Sequence, residues 1–227
     1  YKIGFKYAKD HYLLDDVDEI ILCNDSCFCV DSLKPAFDKM DTKSCDFWSM
    51  TASNEYELHL QSFFLVVKKN LFSSELFSNY LNNVKHLDNF LEIVKTYEIP
   101  LKKTFEQKGY KGNSFIKAPE KFNPTFFPIK CMKAKMPLVK RKIFTEIYAC
   151  KESLLEVILY LKIKHNAKYK NILNYFNVNS LIPTCFKFFK PKFFAFLFRI
   201  EISSKGLVKI RILNIPFIIF KRKNKNQ

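Results

Sequence analysis

Asn24-Asp25-Ser26 is the first place in the sequence where chemistry-bearing side chains gather. The triplet follows Ile20-Ile21-Leu22-Cys23, a short apolar run that reads as a buried strand entering a loop. In an open α/β sheet, ligands bind just beyond the carboxyl ends of strands. A carboxylate exposed there can hold a hard divalent cation, which in turn neutralises a diphosphate leaving group. The same residue types also favour a plain turn in which Asn24 or Asp25 caps the next element. Both readings stand on the triplet alone.

Several other chemistries find no support. Glycine occurs only at 4, 109, 112 and 206, so there is neither a GxGxxG nor a Walker-type loop to cradle phosphates. This argues against a P-loop NTPase, kinase or dehydrogenase of ordinary design. Cysteine occurs at 23, 27, 29, 45, 131, 150 and 185, an odd number in a Lys-rich chain with no export signal, which argues against a disulfide framework. Cys27-Phe28-Cys29 is not a zinc spacing, and no second pair completes a four-ligand site. The thiols read as reduced.

The elements that must hold the triplet suggest an α/β layer. Apolar spacing predicts a helix over 5–14 and another over 31–40, capped by Asp31 or Ser32, with Leu33, Phe37 and Met40 inward. Residues 46–51 and 59–67 read as strands, the second alternating Phe63 and Leu65 against Phe64 and Val66. Helices follow over 75–82, capped by Ser73 or Ser74, and over 86–96; Pro100 opens a further one that stops at Gly109. Prolines 119, 124, 128 and 137 punctuate a loop-rich stretch before a helix predicted over 143–162. Strands over 197–203 and 207–213, turning at 203–206, read as a final hairpin. The apolar stretch 181–200 is interrupted by Lys187, Lys190 and Lys192 and broken by Pro183 and Pro191, so it is not a membrane span.

Charge divides the chain. Residues 1–118 carry 15 Lys and Arg against 17 Asp and Glu, whereas 119–227 carry 23 against 5. The net charge of +16 therefore lies wholly in the second part, which suggests an anionic partner: nucleic acid, acidic lipid or a phosphate-bearing substrate.

The ordered series IILCNDSCF, DKM, DFWSMT, HLQSFFLVV and YEIPLKKTFEQKGY resembles the rhamnan synthesis protein F family, and PLVKRK at 137–142 resembles a short segment that follows there. The likeness covers roughly 1–145. It implies a GT-A-like glycosyltransferase that acts on bacterial surface glycans such as rhamnan, lipopolysaccharide or capsule. The expected fold class is then α/β: a partial GT-A-like mixed sheet with flanking helices over 1–118. A Pro-rich connector and helical extension over 119–180 and a basic Phe/Lys-rich tail over 181–227 would follow. The resemblance places Asp25, flanked by the donor-binding Asn24 and Ser26, where such enzymes keep a metal- or diphosphate-binding acid. Glu98 falls where they keep the general base, while Trp48, His59, Gln61 and Ser62 would line the sugar and acceptor site. The implied partners are a nucleotide-sugar donor and a glycan or lipid-linked glycan acceptor, with Mg²⁺ or Mn²⁺ as the candidate cofactor. Two departures stand out: Tyr1-Lys2-Ile3-Gly4 carries lysine where the family has an acid, and Cys29-Val30 stands in place of a Gly-Pro. The chain opens on Tyr1, not Met, and is expected to begin inside a longer protein that supplies the donor-binding βα units.

Two other classes remain on sequence grounds. The Lys and Phe alternation over 186–198 suits nucleic-acid binding, although no recognition motif accompanies it and an AT-rich genome would enrich the same residues. An inactive, truncated pseudo-transferase is the third reading. Apolar residues beside Lys221-Arg222-Lys223 would suit the inner face of a cytoplasmic membrane, giving a cytoplasmic, peripheral placement.

Overall fold

The computed structural model describes residues 1–119, 121–146, 149–176, 198–202, 207–212 and 215–221. It divides into two compact units, Tyr1–Ile172 and Leu173–Gln227.

The first unit is a mixed sheet with flanking helices. α1 (Lys2–Asp10) leads to β1 (Glu19–Cys23) and β2 (Cys27–Cys29), then α2 (Lys34–Asp41), β3 (Phe47–Ser53), β4 (His59–Leu60) and β5 (Phe64–Lys68). Next come α3 (Lys69–Phe72), α4 (Glu75–Asn82), α5 (Phe90–Ile93), a π-helical turn (Val94–Glu98), α6 (Ile99–Glu106) and β6 (Gly112–Ile116). A short 3-10 turn (Pro124–Phe126), α7 (Pro128–Lys133), β7 (Leu138–Lys140), α8 (Lys142–Thr145), α9 (Leu154–Lys164) and α10 (Asn166–Tyr175) follow.

The sheet order is β1-β5-β3-β4, with β6 on β3. Only the β3–β6 pairing is parallel; β1–β5, β3–β5 and β3–β4 are antiparallel. β2 and β7 form a separate antiparallel ribbon. Every residue of β3 is buried, because the strand has partners along its length and both of its faces are covered. Alternation sends Phe47, Leu65 and Val67 into one core with Phe77 and Phe105, and Trp48, Met50, Phe64 and Val66 into the other with Met40.

Several sequence expectations need correction. β1 is half-buried rather than buried, since it is an edge strand and Ile21 is exposed. The first helix occupies 2–10, and α2 begins only at Lys34, with Leu33 at the N-cap position making no side-chain bond while the Ser32 hydroxyl accepts from Lys34 N–H at 3.2 Å. The strand expected over 59–67 is interrupted at residues 61–63. The helix expected from Pro100 is continuous with α5, the π-helical turn absorbing the missing proline N–H. Residues 143–162 do not form one helix. Glu152 accepts hydrogen bonds from the backbone N–H groups of Ile129 (2.6 Å) and Lys130 (3.3 Å) in α7, and Lys151 N–H donates to Phe126 O (2.8 Å). These contacts draw 151–152 toward α7 and out of a helical path. Ser74 caps α4 as expected, its hydroxyl accepting from Phe77 N–H.

In the second unit β8 (Phe198–Ile202), β9 (Leu207–Ile212) and β10 (Ile215–Lys221) form an antiparallel sheet in the order β10-β9-β8. The expected hairpin is β8–β9, and its turn at 203–206 lies outside the described residues.

Gly112 lies opposite Phe47, and a Cβ there would meet ring atoms of Phe47 at 2.6 and 2.8 Å. That ring is fully buried and packs edge-on against Phe105, so it has little room to yield. Gly4 sits in α1 with nothing within 4 Å of its added Cβ. Gly112→Ala is expected to destabilise by about 1–3 kcal/mol, and Gly4→Ala to stabilise by about 0.4–1 kcal/mol, both read from urea midpoints at constant m.

Candidate functional site

The interruption between β4 and β5 is where the chemistry collects. Glu98, the last residue of the π-helical turn, reaches across to the sheet. Its Oε2 accepts from Ser62 N–H at 2.7 Å and from the Ser62 hydroxyl at 2.5 Å. Its Oε1 faces His59 Nε2 at 3.6 Å, while His59 Nδ1 lies 2.8 Å from Glu57 O. Both ring nitrogens thus face acceptors, an arrangement that favours the imidazolium. The Tyr80 hydroxyl donates to Tyr97 O, bracing the π-helical turn, and the Tyr1 hydroxyl donates to Ser62 O at 2.9 Å.

Burial pushes the Glu98 carboxyl up, but His59 and the two Ser62 donors outweigh it and hold the group below its ordinary value. Burial pulls His59 down, but Glu98 and the Glu57 carbonyl outweigh it and hold the imidazole above its ordinary value. Both shifts therefore favour the ionised forms, carboxylate and imidazolium. Glu98 keeps 17% of its side chain exposed and His59 only 3%, so Glu98 is the more accessible member of the pair.

The Asn24-Asp25-Ser26 triplet lies at the same end of the sheet, since Asn24 N–H donates to Phe63 O at 3.2 Å. It forms a turn: Asn24 Oδ1 accepts from Ser26 N–H (3.1 Å) and from the Ser26 hydroxyl (2.5 Å). Asp25 projects outward, with its Oδ2 2.8 Å from an Arg141 guanidinium nitrogen that also donates to Asp25 O. Lys140 donates to Ser26 Oγ at 2.9 Å, and its ammonium lies 3.6 Å from the centroid of the Phe63 ring. The β2–β7 ribbon fixes these cations, pairing Cys27 with Lys140, and Arg141 N–H donates to Ser26 O at 2.8 Å. Sequence reasoning gave Lys140 and Arg141 no role; the signal was the KRK run closing the 137–142 segment.

The structure brings Glu98, His59 and Ser62 together and sets Asn24, Asp25 and Ser26 beside them. Trp48 and Gln61 fall elsewhere. Trp48 is fully buried in the centre of β3 against Phe37 and Phe64 and offers no face to a sugar ring. Gln61 is buried and accepts from the Thr51 hydroxyl at 2.7 Å, which spends its amide oxygen inside the sheet. His59 is likewise turned inward to Glu98 and not toward solvent. Among the described residues no group of three or more His, Cys, Asp or Glu side chains gathers to hold a metal ion.

An acid–histidine pair and a basic ribbon at one end of a mixed sheet define an α/β protein with a charged surface site. The chain belongs to the rhamnan synthesis protein F family, whose match runs over residues 3–205. The match extends well past the motifs legible at 1–145 and takes in α9, α10 and β8. No curated protein and no solved structure matches the chain. Membership ties it to the synthesis of rhamnan, a polysaccharide. Among the described residues no helix is long and apolar enough to cross a membrane.

The Glu98–His59 pair should write itself into the pH dependence of stability. A raised native histidine stabilises fully below its ordinary value of 6.5, and that contribution is lost as pH rises through the native value. A lowered native carboxyl stabilises fully above 4.5, and is lost as pH falls through the native value. The melting-temperature gap between wild type and His59→Gln should therefore be widest between pH 4.5 and 6.5 and shrink on the alkaline side. A gap independent of pH would show that the pair is not ionised.

Proposed function

We propose that the chain is a glycosyltransferase, moving a sugar, rhamnose in the family's setting, from a nucleotide-sugar donor to a hydroxyl of a growing bacterial surface polysaccharide. One observation carries this reading: an ionised, partly exposed and rigidly held carboxylate, Glu98, lies at the same sheet end as a basic turn. Glycosyl transfer needs both parts.

Glu98 is the general base. It accepts the acceptor hydroxyl's proton as that oxygen bonds to the anomeric carbon, while the anomeric C–O bond to the diphosphate breaks and the nucleoside diphosphate departs. The donors from Ser62 fix the carboxylate, and His59 keeps it charged before the proton arrives. The same contacts make Glu98 a weak base, so proton transfer runs together with bond formation and not ahead of it. Ser62 positions Glu98 rather than the sugar. The leaving diphosphate departs toward the Asn24–Ser26 turn. A fold of the GT-A kind accords with the mixed sheet and its flanking helices.

Glu98→Gln keeps the shape of the side chain and removes its basicity. Incubated with dTDP-rhamnose or UDP-hexoses and a rhamnan acceptor, this variant is expected to turn over about 100- to 10,000-fold more slowly than wild type. Its affinity for nucleotide diphosphates should be unchanged in calorimetry. Equal turnover by the two proteins, where the wild type consumes a nucleotide sugar, would sink the reading.

A further inference from the structure

Lys140 is a half-buried cation with no anion assigned to it. Its ammonium has three donors, of which Ser26 Oγ takes one at 2.9 Å, and one side of it is covered by the Phe63 ring. Among the described residues it makes no ion pair within 4.0 Å. Burial pulls its proton affinity down, and nearby Lys142 adds to this, against the opposing influence of Cys27 and Glu98. A desolvated ammonium held this way costs stability unless an anion compensates it.

Arg141 stands beside it, held through backbone and side chain to the same turn. A guanidinium presents a planar fork suited to phosphate, and Asp25 fixes its orientation.

The same turn fits a divalent cation poorly. Asp25 supplies its one carboxylate, already 2.8 Å from a guanidinium nitrogen, so a dication there would meet a like charge. Asn24 Oδ1 already accepts twice from Ser26.

We propose that Lys140 and Arg141 bind the donor's diphosphate directly at the Asn24–Ser26 turn, without a metal ion, Asp25 acting to position the guanidinium. The proposal rests on the glycosyl-transfer reading for the identity of the diphosphate. As the anomeric C–O bond breaks, the electron pair moves onto the diphosphate oxygen, and the two fixed cations meet that charge without rearranging.

The test is calorimetric titration of the full chain with dTDP, UDP and inorganic pyrophosphate, once in EDTA and once in excess Mg²⁺ or Mn²⁺. Binding in EDTA of similar strength to that with metal is expected. Lys140→Met should weaken it by about tenfold or more, the loss of one charge-assisted contact. Lys140→Arg should retain part of it, and thermal melts should show both variants folded; Lys140→Gln replaces the Met variant if that one does not fold. Metal-dependent binding, binding indifferent to Lys140, or binding of none of the three ligands overturns the proposal. Metal-dependent nucleotide binding would leave the transferase reading standing. Metal-free binding of pyrophosphate without either nucleotide would keep the anion site and remove the transferase reading.

Discussion

The hydrogen bonds from Ser62 to Glu98 are the constraint on which the rest of the site depends. A backbone N–H in the middle of a would-be strand must find an acceptor. Here the acceptor is a carboxylate 36 residues away, not a neighbouring strand. With that donor spent, β4 and β5 cannot be one strand, and the chain turns between them. The bond also ties the helical run 90–106 to the sheet, at the point where a π-helical turn sets Glu98 forward of Pro100. His59 then follows without further cost, because it lies on β4 just before the turn and finds the carboxylate already in place. An acid buried to this degree would ordinarily be pushed toward neutrality. Three donors from two residues keep it charged.

Residues 62 and 63 also join this arrangement to the basic turn. Ser62 holds the acid; Phe63, next in the chain, receives the Asn24 N–H on its carbonyl and Lys140 on its ring face. Opposite charges are thus mounted on adjacent residues through different kinds of contact. Glu98 favours the charged form of Lys140, yet the two make no ion pair within 4.0 Å. Separation matters to any chemistry in which one group takes a proton and the other meets an anion: a direct salt bridge would cancel both.

What was legible in the sequence was local. Ser74 capping α4, the alternation in β5 and the strand at 46–51 follow from neighbours within a few positions, and the structure has them. So does the hairpin of β8 and β9, in the residues that are described. What failed was set by distant partners. The break at 61–63 belongs to Glu98, and the break before α9 to Glu152 and Lys151 on α7 and Phe126. No periodicity could show either. Trp48, placed at the sugar site by family likeness, is instead fully buried in the central strand. Glu98, Ser62 and His59 were named through family likeness, and the geometry that unites them depends on a contact no spacing encodes.

The rule that ligands gather at carboxyl ends of strands pointed to this turn by an argument that does not hold here. That rule concerns parallel sheets, in which strand ends and helix starts coincide. β1 runs antiparallel to β5, so its carboxyl end meets the amino end of its neighbour. Positive charge must come from side chains. It comes from residues 140 and 141, within the part of the chain that carries all the excess of Lys and Arg. The acid comes from the nearly neutral part before residue 119. Charge asymmetry along the sequence, which first suggested an anionic partner, is in part the consequence of bringing an acid and two cations from the two sides of that division to one end of the sheet.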